Sequence, residues 1–484
     1  MASSTDAGAS YDLLVIGAGA AGSTIAFEAS ARGTKVALVE RWKIGGTCLN
    51  AGCDPTKAMV RAAEVAHLAR TAGRFGIDVS DVRVDWPAAM ARVQAVIDEI
   101  RGGDAERNVR DAGIEPVLGS ACFVSPHEVE VNGRRLRADR IAVCTGARPK
   151  LPDVPGLRES EAITNVEAVA LPELPRRLTI VGGGVVACEF AQIFQRFGSE
   201  VTMLSRGRLL PREEPELAEA LTAVLRREGV RVETGATLRR VERIDEGGMR
   251  VIAARDGDEL LAEADEILLA TGREPVVDDL ALDRAGIEHG PDGIVVDACL
   301  QTTAANIWAA GDVVAGGFPF THVADYQARI VVHNALSGMR PMEADNRTVP
   351  WAIFTDPELG HVGMTEAEAR EKVGEVRTAV VPLKGLARAV VSDERDGMAK
   401  LVADAATGRL LGAHVLSARG GEMLGELALA IRLRLSVDAI SATMHAYPTF
   451  SEAVYWAAYE LARPHEHGLD LRRGMQATAG QHGA

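Results

Sequence analysis

Cys48 and Cys53 lie in the stretch GGTCLNAGCDPTK, separated by four residues and followed at once by Asp54 and Pro55. Asp-Pro at that point reads as a helix N-cap and first helical residue. A cysteine beside a helix N-terminus is acidified by unpaired amides and the helix dipole, so Cys53 can exist as a thiolate near neutrality. Two thiols this close can cycle between dithiol and disulfide, accepting two electrons and handing them on. A plain structural disulfide and half of a metal site are the alternatives. No second Cys/His pair stands at ligand spacing, so no metal site is expected.

A second stretch with chemistry in it is HAYPTFSE, residues 445 to 452. A carboxylate five residues after an imidazole makes a proton-handling pair. Here the residue five before Glu452 is Tyr447, and His445 stands two positions earlier.

Two copies of one phosphate-binding device must position these groups. YDLLVIGAGAAGSTIAFEASARGTKVALVE reads as a strand, a tight turn at Gly17, Gly19 and Gly22, a helix, and a second strand ending at Glu40. The glycines let the backbone approach a pyrophosphate at the helix N-terminus, and the acid can bond a ribose hydroxyl. The device recurs in LTIVGGGVVACEFAQIFQRFGSEVTMLSR, with Gly182, Gly184 and Ala187 at the small positions. There the ribose-clasping acid is replaced by Ser205, with Arg206, Arg208 and Arg212 following. Cations where a 2′-phosphate would sit point to NADP(H) in the second site; a solvated arginine loop is the alternative. Two nucleotide folds imply two nucleotides, FAD in the first and NADPH in the second.

Between them, strands ending in Thr145-Gly146 and Thr271-Gly272-Arg273 read as crossovers from one domain to the next. Gly311-Asp312, after an apolar strand, places a carboxylate where a flavin's ribityl hydroxyls could be bonded; a helix N-cap is the plainer reading. Gly46 and Thr47, beside the thiol pair, are counted with the cofactor-binding residues. Lys57, one turn after Cys53, falls near the flavin if Cys53 does, and Glu189 is a candidate partner for its ammonium.

The 484 residues suit two to four domains, with 47% hydrophobic and 25% charged residues. Lys+Arg number 53 against 68 Asp+Glu, a net charge of -15, which argues against nucleic acid or an anionic membrane as partner. No apolar run approaches a membrane span, and MASSTDAGAS reads as a flexible leader rather than a signal peptide, so a cytoplasmic protein is expected. Cys122, Cys144, Cys188 and Cys299 stand singly and read as small core residues.

Taken together these residues resemble the flavoprotein disulfide reductases, the class I pyridine nucleotide-disulfide oxidoreductases that include dihydrolipoamide dehydrogenase, glutathione reductase and mercuric reductase. The resemblance runs from about Tyr11 to Tyr459, and GGTCLNAGCDPTK is similar to the family's redox-active signature. It implies an α/β fold with two Rossmann-like domains and a C-terminal α+β dimerisation domain. The expected divisions are 1–155 and 277–346 for the two FAD segments, 156–276 for the NAD(P) domain, and 347–484 for the interface. It implies that Cys48 is the interchange thiol, Cys53 the charge-transfer thiol, and the protein a homodimer whose C-terminal segment completes the other subunit's site.

Three departures bear on function. Asp54 replaces an apolar residue and should oppose the Cys53 thiolate. Val185 replaces a tyrosine that often gates the nicotinamide pocket. Tyr447 stands where disulfide-reducing members carry histidine; mercuric reductases carry tyrosine there too, and also resemble this chain in SRGRLLPREEPELAEAL. Yet the last cysteine is Cys299, so no C-terminal thiol pair is expected, nor a metal-binding domain ahead of Tyr11. Histidine shuttles a proton at neutral pH, whereas a phenol is a poor shuttle and a good hydrogen-bond donor. The leading expectation is therefore an NADPH-dependent FAD/dithiol reductase whose acceptor is a metal ion, quinone or other small oxidant. A dihydrolipoamide-dehydrogenase-like enzyme and a flavin-binding redox sensor without turnover are the alternatives.

Overall fold

The computed structural model describes residues 9–244 and 248–462. The first eight residues of the expected leader, and the chain beyond 462, lie outside the described residues. Contacts divide the chain into two compact units, 1–62 with 79–174 and 267–345, and 63–78 with 175–266 and 346–484.

The first unit is built on a mixed sheet, parallel except where residues 121–143 pair with one another. Strand β1 (Ala9–Ile16), helix α1 (Ala20–Ala31) and strand β2 (Val36–Glu40) form the first nucleotide device, with β1 starting two residues ahead of the expected Tyr11. β1 and β2 pair in parallel, Leu13 opposite Val36 through Ile16 opposite Val39. Leu13, Leu14 and Val15 are wholly buried, as a strand covered on both faces requires, each contributing roughly 1.5–3 kcal/mol of burial. Helix α1 sets Ile25, Ala26 and Ala29 into the same core.

Strands β3 (Glu115–Leu118), β4 (Ala121–Ser125), β5 (Glu128–Val131) and β6 (Arg134–Val143) complete the sheet in the order β3-β2-β1-β6-β5-β4. The long β6 changes neighbours along its length. Its first half pairs antiparallel with β5, and its end pairs in parallel with the strand Ile307–Ala309. The carboxyl ends of β1, β2, β6 and Ile307–Ala309 thus lead into Gly17, Arg41, Cys144 and Ala310, along the sheet edge where open α/β folds bind ligands. Strand β7 (Ala147–Pro149) pairs with Arg273–Pro275, so the two Thr-Gly crossovers meet as one antiparallel link. Thr145 donates to the Val276 carbonyl at 2.7 Å and Thr271 to that of Lys150 at 2.6 Å.

In the second unit, β8 (Arg177–Val181), β9 (Glu200–Ser205) and β10 (Arg231–Thr234) run parallel, with helix Val185–Phe197 between the first two. The C-terminal part is a five-stranded antiparallel sheet. Its order is Pro350–Ile353, Glu358–Gly363, Leu410–Ser417, Met398–Asp404, Val376–Pro382. Helices Leu424–Arg432 and Glu452–Ala462 pack their Leu427, Ala453, Val454 and Ala457 into its core. Among the described residues, no helix is long and apolar enough to cross a membrane.

Candidate active site

Cys48 lies in the short helix α2 (Gly46–Ala51), and Cys53 opens helix α3 (Cys53–Thr71). Gly52 accepts the first intrahelical bond of α3, from Thr56 N at 3.1 Å. The helix therefore begins before Asp54, which falls in its first turn rather than at its N-cap, and Pro55 follows inside that turn. This corrects the expected cap: once Gly52 turns the chain, Cys53 itself takes the end of the helix, where unpaired amides act on its sulfur most directly. Two asparagines hold the helix pair. Asn50 Nδ2 donates to the carbonyls of Ile44 (3.1 Å) and Gly46 (2.9 Å), and Asn165 Nδ2 to that of Ala51 (2.7 Å).

Both thiols are free and converge on one hydroxyl. Thr321, first residue of helix Thr321–Leu336, donates to Cys48 Sγ at 3.1 Å and lies 3.3 Å from Cys53 Sγ. The pair is polarised. The Cys48 thiol donates to Cys53, which pushes Cys53 down to about 6 against the opposing effect of burial, with help from Thr321 and the Lys57 ammonium. The same hydrogen bond, with burial, pushes Cys48 well above the thiol range. Asp54 raises Cys53, the opposition its charge leads one to expect, but as the smallest of the named influences. Burial also lifts the Asp54 carboxyl itself, with Lys57 resisting. At neutral pH the site holds one thiolate, Cys53, and one proton, on Cys48. Cys144 is a different case: wholly buried, its thiol is pushed up to about 12 and is inert.

The first nucleotide device has the shape a pyrophosphate needs. A Cβ on Gly17 or Gly22 would strike backbone oxygen, of Cys144 at 2.3 Å and of Gly17 at 1.8 Å respectively. A Cβ on Gly19 would meet nothing within 4 Å, so this stretch of backbone is open to a ligand. Gly46 packs onto Gly19, its Cβ position 2.7 Å from the Gly19 Cα, which sets the redox helix against the cofactor turn; Thr47 follows it in α2. Glu40, at the end of β2, accepts from Ala18 N and Trp42 N, both at 2.7 Å. Each oxygen keeps a lone pair for a ribose hydroxyl. Asp312 follows the Ile307–Ala309 strand after Gly311, whose amide donates to Gln327 at 2.8 Å. The next helix begins only at Thr321, so Asp312 caps nothing. Burial raises its carboxyl while Arg273, 3.7 Å away, opposes. Gly146 and Gly272 take positive φ at the two crossovers. The residues present fit FAD.

The second device repeats the pattern. Gly184 is open where Gly19 is, Ala187 is buried in the helix, and Gly182 has φ +140. Gly183 is needed as well: its Cβ would stand 2.2 Å from Ser205 Oγ. Arg208 is committed to the loop, donating to the carbonyls of Leu210, Pro211 and Glu213 at 2.7–2.8 Å. Arg206 and Arg212 are exposed. Glu189 is buried on helix Val185–Phe197, where its carboxylate accepts from Phe354 N at 2.8 Å.

HAYPTFS forms the loop between helices Val437–Ala442 and Glu452–Ala462. Tyr447 is 75% exposed. His445 turns away from it: Nε2 lies 3.1 Å from Glu426 and Nδ1 3.0 Å from the Thr443 carbonyl, with the ring against Tyr455. Glu452 accepts from Thr449 N at 3.3 Å, and burial raises its carboxyl.

Comparison with known protein families decides the identity. Residues 11–328 match the pyridine nucleotide-disulphide oxidoreductase model and 349–458 its dimerisation domain. The chain belongs to this family. Pyridine nucleotide-disulphide oxidoreductases use FAD and NAD(P)H, so this member is a flavin-dependent NAD(P)H oxidoreductase with Cys48 and Cys53 as its redox pair, and its dimerisation domain marks it as a homodimer. It is 39% identical over 446 residues to a mercuric reductase of Bacillus cereus, covering 92% of this chain and 70% of that one. It is 33% identical over 453 residues to a dihydrolipoyl dehydrogenase of Bacillus subtilis (92% and 97% covered). Among solved structures of the oxidoreductases it is similar to the Cu(II) complex of the HOCl-induced flavoprotein disulfide reductase RclA of Escherichia coli. The TM-score is 0.83 at 31% identity, with 93% of this chain and all of that one covered.

Two groups of polar residues that the fold brings together escaped the sequence. Thr321 is 268 positions from Cys53 in the chain and has no motif around it. Glu213, His361 and His414 come together from three segments, buried, with their ligand atoms within 4.8 Å of one another.

Proposed function

We propose that this oxidoreductase carries electrons from NADPH through FAD and the Cys48–Cys53 disulfide to a small acceptor other than an organic disulfide, a thiophilic metal ion or a quinone, in the manner of a mercuric reductase. The observation that carries this reading is Tyr447, an exposed phenol at the position where disulfide reduction needs an imidazole. A released organic thiolate must be protonated, and a phenol with its high pKa does this slowly at pH 7. An ion held between two sulfurs needs no such proton, so Tyr447 favours the metal ion over a quinone, whose reduction to a hydroquinone takes up two protons.

Bound FAD would supply the hydride acceptor and the two-electron relay. The chain's own part is to hold Cys53 as thiolate at the start of α3, keep the proton on Cys48, and present Cys48 to the acceptor. Lys57 stabilises the Cys53 thiolate, and Glu189 positions helix Val185–Phe197 through Phe354. The NADPH preference rests on Ser205 at the end of β9 and the exposed Arg206 and Arg212. We place the protein in the cytoplasm, where such thiol pairs are kept reducible.

One observation favours a second reading. His445 and Glu426 form an imidazole–carboxylate pair 3.1 Å apart, which could relay a proton in a dihydrolipoamide-dehydrogenase-like reaction. An anaerobic acceptor panel separates the two. Turnover with Hg(II), Cu(II) or quinones far above that with lipoamide supports the first reading; lipoamide exchange near the diffusion limit sinks it.

A further inference from the structure

The C-terminal sheet carries a row of polar side chains that the reductase chemistry does not use. Cross-strand register sets Trp351 opposite His361, His361 opposite His414, and His414 opposite Lys400. Directly opposed residues project from the same face, so these four side chains stand side by side. Glu213 and Glu214, from the loop after β9, meet the row, and all of these but Trp351 are nearly or wholly buried. Lys400 is accounted for by three carboxylates, Glu214 (2.9 Å), Glu216 (2.8 Å) and Glu366 (2.9 Å).

The remaining trio is organised differently. Each member has its far atom held by a neighbour. His361 Nε2 faces the Gly363 carbonyl at 3.0 Å, and His414 Nε2 that of Met364 at 3.1 Å. Glu213 Oε1 accepts from Trp351 Nε1 at 2.8 Å, while the Trp351 ring stacks on His361 with centroids 3.6 Å apart. A carbonyl can only accept, so each imidazole places its proton on Nε2 and leaves a lone pair on Nδ1. Those two Nδ1 atoms lie 3.2 Å apart, and Glu213 Oε2 lies 2.9 Å from that of His361. Three lone pairs therefore converge in a buried space, an arrangement that requires a positive charge among them.

We propose that Glu213, His361 and His414 bind one structural divalent transition-metal ion of the Zn(II) class. A tetrahedral ion with bonds of about 2.0–2.1 Å sets its ligand atoms about 3.3 Å apart. The two nitrogens stand at 3.2 Å, the Glu213 oxygen at 2.9 Å from one of them, and all three lie within 4.8 Å of one another, so small side-chain adjustments bring them around one ion. Two imidazoles and one carboxylate suit zinc rather than magnesium or calcium, which take oxygen ligands. The three outer bonds are the kind that orient metal ligands and fix the imidazole tautomer. Three protein ligands leave the fourth position to a water molecule. With every ligand buried, the ion's role is to clip the loop after β9, which carries Arg206 and Arg212, to the C-terminal sheet. A single shared proton is the rival occupant.

The test uses the full chain with Cys48→Ser and Cys53→Ser, which removes the thiol pair as a competing metal site. This protein is stripped with chelator, dialysed against Co(II), and freed of excess ion. The expected result is about one Co(II) retained per chain, with the strong visible d–d absorption of four-coordinate nitrogen/oxygen ligation, displaced by Zn(II). His361→Gln and, separately, Glu213→Gln in the same background should lose it. The amide introduced by Glu213→Gln keeps an oxygen for Trp351, so at least one variant remains folded by circular dichroism. Zn(II) should also raise the melting temperature of the parent by several degrees and leave both variants unmoved. Failure of the folded parent to retain Co(II), or equal retention by a folded variant, overturns the proposal in favour of the shared proton.

Discussion

Replacing Thr321 by Val removes the hydroxyl shared by the two redox sulfurs while keeping the side chain's shape. In the wild type Cys53 is held down to about 6, first by the Cys48 thiol, against burial, and next by Thr321. A hydrogen bond to a charged group contributes about 1.5–3 kcal/mol. The hydroxyl has one proton and donates to Cys48 Sγ at 3.1 Å, with Cys53 Sγ at 3.3 Å, so about half of that acts on the thiolate. At about 1.36 kcal/mol per pH unit this moves the Cys53 midpoint up from about 6 by roughly 0.5–1 pH unit, toward about 7. The sign follows from which form is bonded. Thr321 stabilises the thiolate, so without it the thiolate survives only at higher pH. The assay is anaerobic reduction by two electrons and titration of the long-wavelength absorbance of a thiolate lying against flavin. Thr321→Val should lose half of this absorbance near pH 7 rather than near pH 6. A midpoint unchanged within about 0.3 units would refute the assignment of Thr321 to the pair, since no other hydroxyl contact to either sulfur is present among the described residues.

Gly19→Ala should yield a folded protein that binds FAD poorly, because its Cβ enters open space rather than protein; flavin absorbance per chain and melting temperature measure the two effects. Gly22→Ala should instead fail in folding, since its Cβ would stand 1.8 Å from a backbone oxygen, and soluble yield reports it. Lys400→Met leaves the buried Glu214 and the half-buried Glu366 without their cation, with Glu216 exposed beside them, and should cost about 3–5 kcal/mol in denaturant unfolding. Arg206→Glu should raise KM for NADPH far more than for NADH, and equal effects would show that Arg206 is no phosphate clasp. Tyr447→His should raise lipoamide turnover roughly tenfold or more at neutral pH, with the pH profile gaining an imidazole limb; an unaltered rate would remove Tyr447 from the acceptor step.

Much of the fold was legible because its signals are local. Gly17, Gly19 and Gly22 constrain a turn that only a strand and a helix can flank, and Cys48 and Cys53 are close enough in the chain to meet whatever surrounds them. Local pattern was weaker at boundaries. The Asp-Pro pair suggested a cap at Asp54, whereas the turn at Gly52 starts the helix earlier and gives Cys53 the terminal position. The tertiary structure alone decided which hydroxyl tunes the thiols, because Thr321 reaches them through the docking of a helix from the far end of the first unit. It also decided that Arg208 serves its own loop, and that His445 faces Glu426. The same holds for Glu213, His361 and His414. Strand register places the histidines opposite each other, and register depends on pairing between distant segments, which leaves no spacing in the chain to read.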